Sequence, residues 1–506
     1  MAQRFYKIDL RDSLFPMLSE QQTRTTIGAS DGESPAKEDK PGVAYCHNVM
    51  PSAYGFDSVG YISKVPASAF LDAGESFIDV RVIFGSARSR IHLAWDSEGT
   101  VYALFGIATL WIPLSSTIPA TGGAGFSAET VTVGTVNGVS YIWYSGIGAF
   151  TYNEVTNQLD NVVLTGLITA DILGVVASSG YLIAYTDSAI AWSSTLVPTD
   201  FVPSSVTGAG GGNVAGIAGD ILFCTANTLG ILVYTAANTI AGTYTGNTQF
   251  PFKFREVDNS KGGIALDRVA YEANSSEQYV FSKAGLQAMS SRAAAHILPD
   301  VTDFLAGRRF EDYNETTKQY EITDLAPTAT MLKKIKYVAS RYLVISYGIT
   351  SFTHALVLDT ALSKLGKLRI THTDCFEYVS DQTEIAKESL AFLLASGEVQ
   401  LVDFSTGAAS SGVLILGKVQ YVSSRMITLL GVELENVETG SSLTVEDQAA
   451  LDGKNFTNVA STLTAASAGD LRKYVFRNTA KNHSLVFTGK FNLVTAQVRY
   501  TVAGRR

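Results

Sequence analysis

The chain has 506 residues, with 38 basic and 47 acidic side chains and a formal net charge of −9. Charged residues make up 17% of the chain, against about a quarter in typical globular proteins, so we expect neighbouring subunits to cover much of the surface. The acidic balance argues against a surface dedicated to gripping nucleic acid, because such a surface needs clustered Lys and Arg. It does not exclude a lumen through which DNA slides.

Neither a membrane span nor a signal peptide is indicated. The most apolar stretch, Leu167–Tyr185, is interrupted by Asp171 and by Ser178-Ser179-Gly180, and no uninterrupted run approaches the roughly 18 apolar residues of a span. The N-terminus reaches Asp9 before the apolar core of a signal peptide can form. A soluble protein is expected.

Residues 1–75 are predicted to form an N-terminal arm and platform segment. Within this segment residues 17–42 are polar and rich in turn-forming residues, as in Asp31-Gly32-Glu33-Ser34-Pro35. Such a composition favours an extended arm over a packed element.

The cysteines do not indicate a covalent or metal framework. Cys46, Cys224 and Cys375 are an odd number, lie far apart and form no Cys-x-x-Cys pair. Neither a disulfide framework nor a zinc site is therefore expected, and the three side chains are interpreted as isolated thiols in a reducing compartment.

Four apolar hairpins recur at even spacing after the arm. They begin at Val101, Tyr141, Tyr181 and Ile221, each 40 residues after the one before. Each contains an aromatic or β-branched strand, a short turn of small residues and a second strand. A further turn precedes each hairpin, the strongest being Asn137-Gly138, because both positions tolerate the positive φ of a two-residue hairpin turn. The predicted unit is a meander of at least three strands.

This repeat favours a β-propeller. Four-stranded meanders recurring about every 40 to 50 residues are typical of propeller blades, and later units at Gln278–Met289, Arg341–Asp359 and Ser389–Phe404 bring the number of candidate blades to about seven. We predict an all-β fold with a β-propeller-like array of about seven blades over residues 76–410, and with N- and C-terminal β-rich extensions. A tandem of β-sandwiches is the main structural alternative, because strand patterns alone do not fix closure.

Residues 411–506 are predicted to form a C-terminal β-rich domain with a short helix. The helix is expected to begin at Thr444, with Asp447 three residues on in a near capping-box arrangement, and to end at Gly453. A second short helix is expected at Val301–Ala306, after Pro299-Asp300.

Two compositionally unusual segments receive structural interpretations. The run Gly208-Ala209-Gly210-Gly211-Gly212 resembles a phosphate-binding loop only in its glycines, because no Gly-Lys-Ser/Thr follows, and a flexible connection between blades is favoured. Lys334 and Lys336 would share one face of a strand and could contact phosphate. A solvated strand face is the favoured interpretation of these lysines.

No catalytic, metal-binding or cofactor-binding residues are predicted. The six histidines are scattered and show no helical metal-ligand spacing. Asp96-Ser97-Glu98-Gly99-Thr100 departs from the Ser-x-Asp-x-Gly spacing of the aspartate box in propeller sialidases, so a plain hairpin turn is favoured there.

One stretch resembles a known protein family. Ala189–Trp192 is followed by Ser193-Ser194 and then by Pro198-Thr199-Asp200-Phe201. A strand ending in Trp-Ser and followed shortly by a Pro-Thr-Asp-Phe turn is similar to the tail nozzle proteins of short-tailed bacteriophages, which are also called tail tubular or DNA-stabilisation proteins. A glycine-rich connection, the Tyr244-Thr245-Gly246 turn and Phe250–Phe254 follow in the family's order, so the similarity covers roughly residues 180–300, with weaker echoes elsewhere.

The resemblance implies a virion protein assembled in the bacterial cytoplasm. It implies a homo-oligomer, a hexameric ring below the portal and adaptor proteins, with a central channel that retains and then conducts genomic DNA and with docking surfaces for tail fibre or needle proteins. It implies no catalytic residues, and Trp192, Pro198, Asp200 and Phe201 are interpreted as structural residues of a turn and its packing.

Two functions from other classes remain open. A propeller-type glycan hydrolase or depolymerase would need acidic side chains from different blades to meet near the axis. A lectin-like adhesion module would use the abundant aromatic side chains.

Overall fold

The structure is a computed structural model. It describes residues 4–9, 25–27, 43–53, 55–72, 74–105, 108–114, 131–272, 275–306, 309–314, 316–317, 319–325, 331–378, 390–403, 412–416, 419–421, 426–435, 443–450, 457–460, 462–466 and 471–502. Strands dominate these residues, and none of the helices found among them has the length and apolar character needed to cross a bilayer. The arm predicted at residues 17–42 lies outside the described residues except for Thr25–Ile27, which form a strand.

The chain begins with strands that serve different parts of the molecule. In order they are β1 (Arg4–Asp9), β2 (Thr25–Ile27), β3 (Val43–His47), β4 (Val49–Pro51), β5 (Phe56–Ser58) and β6 (Gly60–Val65).

Seven antiparallel blades follow within the described part of the chain. In six of them the four strands are consecutive in sequence, and the seventh takes one strand from earlier in the chain. Blade 1 is β7 (Phe77–Phe84), β8 (Arg90–Asp96), β9 (Val101–Phe105) and β10 (Ile112–Pro113). Blade 2 is β11 (Val131–Val136), β12 (Val139–Tyr144), β13 (Gly148–Asn153) and β14 (Gln158–Val162). Blade 3 is β15 (Gly174–Ser178), β16 (Tyr181–Tyr185), β17 (Ala189–Trp192) and β18 (Gly210–Asn213). Blade 4 is β19 (Ile221–Asn227), β20 (Gly230–Thr235), β21 (Thr239–Tyr244) and β22 (Phe252–Glu256).

The second half of the propeller contains an insertion. Blade 5 is β23 (Val269–Ala270), β24 (Gln278–Ser282), β25 (Gly285–Met289) and β26 (Ala294–His296). Helix α1 (Pro299–Ala306) and the hairpin of β27 (Arg309–Asn314) and β28 (Gln319–Asp324) separate it from blade 6. Blade 6 is β29 (Leu332–Val338), β30 (Tyr342–Gly348), β31 (Phe352–Asp359) and β32 (Lys364–His372), and blade 7 combines β33 (Asp374–Glu377), β34 (Leu390–Leu393) and β35 (Val399–Asp403) with β6. Single 3-10 turns occur at Thr169–Asp171 and Leu266–Arg268. The helix predicted at Val301–Ala306 is confirmed as part of α1.

The propeller is closed by a strand from the beginning of the chain. Strand β6 pairs antiparallel with β35 as the outer strand of blade 7, with Leu401 opposite Ile62. Blades 7 and 1 then share a buried apolar cluster in which Phe77 and Val80 pack with Phe376. This arrangement confirms the predicted β-propeller array of about seven blades, and a ring of this kind leaves only short, protected strand edges.

Burial on both faces explains the apolar strand sequences. Each blade lies between two others, so its middle strands have no solvent face, and all seven residues of β30 are buried. Apolar clusters fill the successive interfaces, for example around Trp95 and Phe150 between blades 1 and 2, and around Trp143 and Leu182 between blades 2 and 3. The blades are therefore stabilised by one another, because an isolated small sheet could bury only one face.

The predicted hairpins are confirmed, but their even spacing does not mark equivalent positions. Val101 begins the third strand of blade 1, Tyr141 and Tyr181 lie in second strands, and Ile221 begins the first strand of blade 4. The Asn137-Gly138 turn has φ values of 53° and 78°, as the sequence predicts for a two-residue hairpin. Turns and strands can thus be predicted from local sequence, whereas the residue at which each blade begins cannot.

The glycine-rich run is not a connection between blades. Gly210–Asn213 form β18, the outer strand of blade 3, opposite β17. A Cβ on Gly210 would lie 3.0 Å from the Trp192 ring, and one on Gly211 would lie 2.9 Å from the Ile190 carbonyl oxygen. Glycines are needed here because β17 and the Trp192 indole approach the β18 backbone closely.

The two ends of the chain build one β-sandwich. Its strands after the propeller are β36 (Gly412–Leu416), β37 (Val419–Tyr421), β38 (Ile427–Glu435), β39 (Thr444–Ala450), β40 (Thr457–Ala460), β41 (Thr462–Ala466), β42 (Leu471–Ala480), β43 (Asn482–Gly489) and β45 (Thr495–Val502). The short strand β44 (Asn492–Leu493) lies between β43 and β45 in sequence but pairs with β5. One sheet has the order β1-β45-β38-β42-β41, and the other has β2-β37-β43-β36-β3 with β39 and β40 added. A single apolar core containing Leu429, Phe476 and Phe487 lies between the two sheets. The predicted N- and C-terminal β-rich extensions are therefore confirmed, and they form a common layer pair.

The helix predicted from Thr444 is wrong, because these residues form β39. Strand β39 pairs along its length with β43 and also with β40. The Asp447 carboxylate is fully buried and accepts hydrogen bonds from His483 Nδ1 at 2.9 Å and from Asn478 Nδ2 at 2.9 Å. Pairing on two sides and this buried polar contact outweigh the local capping pattern. Gly453 lies outside the described residues.

The sandwich and the propeller are joined through blade 6. Strands β4, β5 and β44 extend its sheet beyond β32, with Val49 opposite Lys367 and Leu493 opposite Phe56. The inserted β27–β28 hairpin also reaches the sandwich, where Tyr313 stacks on Tyr45 with ring centroids 5.9 Å apart. The boundaries proposed at residues 75/76 and 410/411 stay predictions.

Candidate functional site

The loop between β17 and β18 contains the four residues selected from the sequence. Trp192 ends β17 and donates a hydrogen bond from Nε1 to the Gly208 carbonyl oxygen at 3.0 Å. Asp200 Oδ1 accepts a hydrogen bond from the Val202 backbone N–H at 3.0 Å. Phe201 is buried between blades 2 and 3, and Pro198 is partly buried in the same loop. The structure thus places Asp200 and Trp192 in contacts that shape the loop, and it places Phe201 in the core.

Exposed apolar side chains line this loop and two segments beside it. The Thr165 N–H donates to the Thr199 carbonyl oxygen at 2.9 Å, which brings the end of blade 2 against the loop. On the other side, a Cβ on Gly208 would lie 3.4 Å from the Thr248 carbonyl oxygen in the β21–β22 turn. We call the exposed apolar residues of these three segments the apolar strip: Val163, Ile168, Leu196, Val197, Val202, Val206 and Phe250.

The apolar strip is also poor in charge. Asp171 and Asp200 are the charged residues of segments 163–173, 194–209 and 245–251. Val206 is 92% exposed and Leu196 is 80% exposed. Contiguous apolar surface with few charges is typical of the central part of a protein–protein interface.

A buried charge cluster lies on the inner strands of the propeller. We call it the axial cluster: Asp79 and Arg81 on β7, Lys334 and Lys336 on β29, and Asp374 on β33. Lys334 Nζ lies 3.0 Å from Asp79 Oδ1 and 3.0 Å from Asp374 Oδ1. Lys336 Nζ also contacts Asp374, and Arg81 Nε lies 2.9 Å from Asp79 Oδ2. The cluster therefore ties together blades 1, 6 and 7, where the ring closes.

Within the axial cluster the neighbouring charges favour ionised Asp79 and Lys334, whereas burial outweighs the lysines at Asp374 and raises the pKa of its carboxyl. Burial opposes ionisation of Asp79, but Lys334, Lys336 and Arg81 outweigh it and lower the pKa of this carboxyl well below its ordinary value. Burial likewise opposes the charge on Lys334, whose pKa Asp374 and Asp79 nevertheless raise. Asp374 is fully buried and Lys334 is only 16% exposed, so the solvated strand face predicted for Lys334 and Lys336 is wrong.

A polar cavity of about 610 Å³ lies where blade 6, the inserted hairpin and the sandwich meet. We call it the junction cavity. Its inner wall contains His47, His354 and Phe310, all of them buried. Nearer the opening, the Asp312 carboxylate pairs with the Arg369 guanidinium, with Asp312 Oδ1 3.1 Å from Arg369 Nε and Asp312 Oδ2 3.3 Å from Arg369 Nη2. The exposed residues Ile349, Thr350, Ser351 and Thr371 form the rim.

The junction cavity keeps its histidines neutral. Burial, with Arg369 and Lys367 nearby, lowers the pKa of His47 to about 3. Burial also lowers the pKa of His354 to about 4, although Asp312 acts in the opposite direction. Burial would raise the pKa of Asp312, but the contact with His354, the Tyr313 backbone N–H and Arg369 lower it to about 2. At neutral pH the cavity thus contains one ion pair and two uncharged imidazoles.

The Asp96 turn and the three cysteines can also be compared with what the sequence predicts. Asp96 Oδ1 accepts hydrogen bonds from the backbone N–H groups of Glu98 and Thr100 at 2.9 and 2.8 Å, which confirms a plain hairpin turn. Cys46, Cys224 and Cys375 are free and buried, as isolated thiols should be.

Sequence reasoning missed Asp79, Asp374, Asp312 and Arg369. A usable signal existed for the axial cluster, since Asp79 and Arg81 sit two residues apart in an apolar strand, and Lys334 and Lys336 do the same. Alternate residues of a strand share one face, so each pair marks a charged face on an otherwise buried element. No comparable signal joins Asp312 to Arg369.

Comparisons with known proteins find low similarity. No protein-family profile matches the chain, and no curated protein does. Among solved structures, YCF48 bound to D1 peptide is 10% identical, with a TM-score of 0.37 over 69% of this chain and 95% of that one. The WD40 domain of Pan2 from Neurospora crassa is 8% identical, with a TM-score of 0.38 over 69% and 96%. The extracellular domain of a hybrid two component system from B. thetaiotaomicron is 10% identical, with a TM-score of 0.39 over 91% of this chain and 64% of that chain.

Proposed function

We propose that this chain is a structural virion protein, a subunit of the tail nozzle of a short-tailed bacteriophage. Copies of it form a ring whose central channel retains and later conducts the genome. The observation that carries the proposal is the apolar strip, whose central segment overlaps the stretch resembling the nozzle family around Trp192, Pro198, Asp200 and Phe201. The strip gives that segment a physical role in assembly.

The apolar strip supports contact between copies of the chain, because exposure of its apolar side chains to water is unfavourable in free energy. Val163, Leu196 and Val206 are each at least three-quarters exposed. Burying such side chains contributes about 1.5 to 3 kcal/mol each. In a ring every subunit contacts the next one in the same way. One strip per subunit is sufficient to form such a ring when the strip of each copy packs against a different surface of the next copy.

The channel belongs to the ring and not to the propeller. Lys334 of blade 6 lies 3.0 Å from Asp79 of blade 1, with blade 7 between these two blades in the ring, so the inner strands converge closely at the closure and favour a channel outside the propeller. DNA therefore passes along the symmetry axis between subunits. The net charge of −9 supports a lumen that repels phosphate, so that DNA slides without binding.

Six subunits, a portal or adaptor protein above and fibre or needle proteins below complete the proposal. The β-sandwich brings both chain ends together, since β1 pairs with β45 from Arg4 to Asp9. The sandwich has its own apolar core next to blade 6, so it can present one docking face while the propeller presents another.

A hydrolase is disfavoured by the acidic pair near the axis. Asp79 and Asp374 come from different blades, as a propeller glycosidase would require. Both are nearly inaccessible, at 3% and 1% residue exposure, and both are neutralised by Lys334. A pair in this state has neither the room nor the free carboxylates to attack a glycosidic bond.

Electron microscopy of the purified full-length chain tests the proposal. We expect ring particles with six-fold averages, and labelling of the tail in virions by antibodies raised against the chain. Monodisperse monomers at micromolar concentration, together with absence of the chain from virions, would contradict it.

A further inference from the structure

The junction cavity has the composition of a binding site for a neutral, hydroxyl-rich ligand. Its volume of about 610 Å³ lies within the range of roughly 300 to 1,000 Å³ that is usual for small-molecule sites. Apolar surface is supplied by Phe310, Ile349 and Ile370, and hydroxyl groups by Thr350, Ser351 and Thr371. A ligand with one apolar face and several hydroxyls could contact the apolar surface and the hydroxyl groups of the lining at the same time.

The ion pair at the opening adds a specific recognition element. Asp312 and Arg369 are about one-third exposed, at 36% and 34% of their side chains, so their outer atoms are accessible from the cavity. A sugar hydroxyl both donates and accepts a hydrogen bond. Neighbouring hydroxyls can therefore donate to the carboxylate of Asp312 while accepting from the guanidinium of Arg369.

The residues that line the cavity carry no net charge, because Asp312 and Arg369 balance each other and His47 and His354 are uncharged at neutral pH. Lys367, whose charge also reaches both histidines, lies over the Tyr45 ring at 4.4 Å from its centroid and is not among the lining residues. An anion would be opposed by Asp312 and a cation by Arg369. Three or more His, Cys, Asp or Glu side chains able to hold a metal ion do not occur together in the described part of the chain.

The same lining favours binding without hydrolysis. Asp312 is the single carboxylate among the described residues that line the cavity, whereas glycoside hydrolysis ordinarily needs two. We propose that the junction cavity binds a neutral saccharide, a hexose or N-acetylhexosamine unit of a glycan, through Asp312 and Arg369 with Phe310 against the sugar ring. This site is independent of ring assembly and of the apolar strip.

Saturation-transfer NMR and calorimetry on the full-length protein test the proposal. The probes are D-glucose, D-galactose, D-mannose, N-acetyl-D-glucosamine and, as the charged counterpart, D-glucuronate. We expect at least one neutral sugar to bind, more tightly than glucuronate and with no release of product from its oligosaccharides. Absence of transfer to every neutral sugar, tighter binding of glucuronate, or hydrolysis would overturn the proposal.

Matched variants locate the site. Asp312→Asn should weaken binding of the preferred sugar at least tenfold. Asp258→Asn, which alters the exposed Arg255–Asp258 pair at the outer strand of blade 4, should leave binding unchanged. Ile349→Ser changes an exposed rim residue, so it should fold normally and still weaken binding severalfold, which keeps the test decisive if Asp312→Asn is unstable. Equal affinity of Ile349→Ser and the parent protein would place any sugar elsewhere.

Discussion

At the scale of single residues, the most informative side chains are charged ones inside the propeller. Lys334 and Lys336 look like a solvated face when read from β29 alone. In the folded chain they meet Asp79 and Asp374 from two other blades. A buried charge is tolerated only when an opposite charge compensates its lost hydration, so each lysine depends on partners about 255 and 40 positions away in sequence.

This dependence gives a stability prediction. Lys334→Met should lower the free energy of unfolding by about 3 to 5 kcal/mol, because it leaves buried carboxylates without their main partner. Urea unfolding followed by fluorescence would measure the loss. Arg255→Met is the matched control, since Arg255 and Asp258 are 51% and 70% exposed, and it should cost less than about 1 kcal/mol. Similar losses in the two variants would mean that the axial cluster does not stabilise the closure.

At the scale of elements, local patterns succeed for hairpins and fail where pairing decides. The Asn137-Gly138 turn and the strands on either side of it are correctly predicted, because the turn geometry is a property of those two residues. The Thr444 segment has the start signal of a helix, yet it forms β39 because β43 and β40 offer pairing partners on both sides. Secondary structure that depends on distant partners is not encoded in a local window.

The apolar strip on the loops of blades 2 to 4 leads to a prediction about ring assembly. Val206→Asp places a charge in the apolar strip and should abolish ring formation, because an unpaired charge in an interface is strongly unfavourable. Native mass spectrometry or sedimentation velocity would show the change in subunit number.

A matched control separates assembly from a general effect of added charge. Val155 is also 92% exposed but lies in the β13–β14 turn, at the opposite end of β14 from Val163. Val155→Asp should leave the rings intact. Loss of rings in both variants, or in neither, would remove the apolar strip from the interface.

At the scale of the whole molecule, stability should depend on pH through buried histidines in blades 1 and 6 and in the sandwich. Burial lowers the pKa of His92, His354 and His372 to about 4 and that of His47 to about 3. An unfolded histidine has a pKa of about 6.5. Between these values the unfolded chain binds protons that the folded chain does not, so stability is full above about pH 6.5 and is lost as pH falls toward 4.

The expected loss is large enough to measure. Each of these histidines contributes up to about 1.4 kcal/mol per pH unit within the window, and denaturant unfolding at pH 8, 7, 6 and 5 would record the sum. His372→Asn should flatten the dependence on pH. His296→Asn, at an exposed position, should not change it. A free energy of unfolding that is constant from pH 7 to 5 would contradict the prediction.

Those features of this protein that arise from neighbouring residues could be predicted from the sequence. Alternating and continuous apolar strands, turn residues such as Asn137-Gly138 and the short α1 helix are specified locally, and their number indicated a propeller with β-rich ends. The closure of the ring by β6, the single sandwich built from both chain ends, the axial cluster and the junction cavity became visible in the folded chain alone. Each of these joins residues far apart in sequence, such as Asp79 with Lys334 or His47 with Tyr313, and their contacts arise from the path of the backbone through the blades and the sandwich.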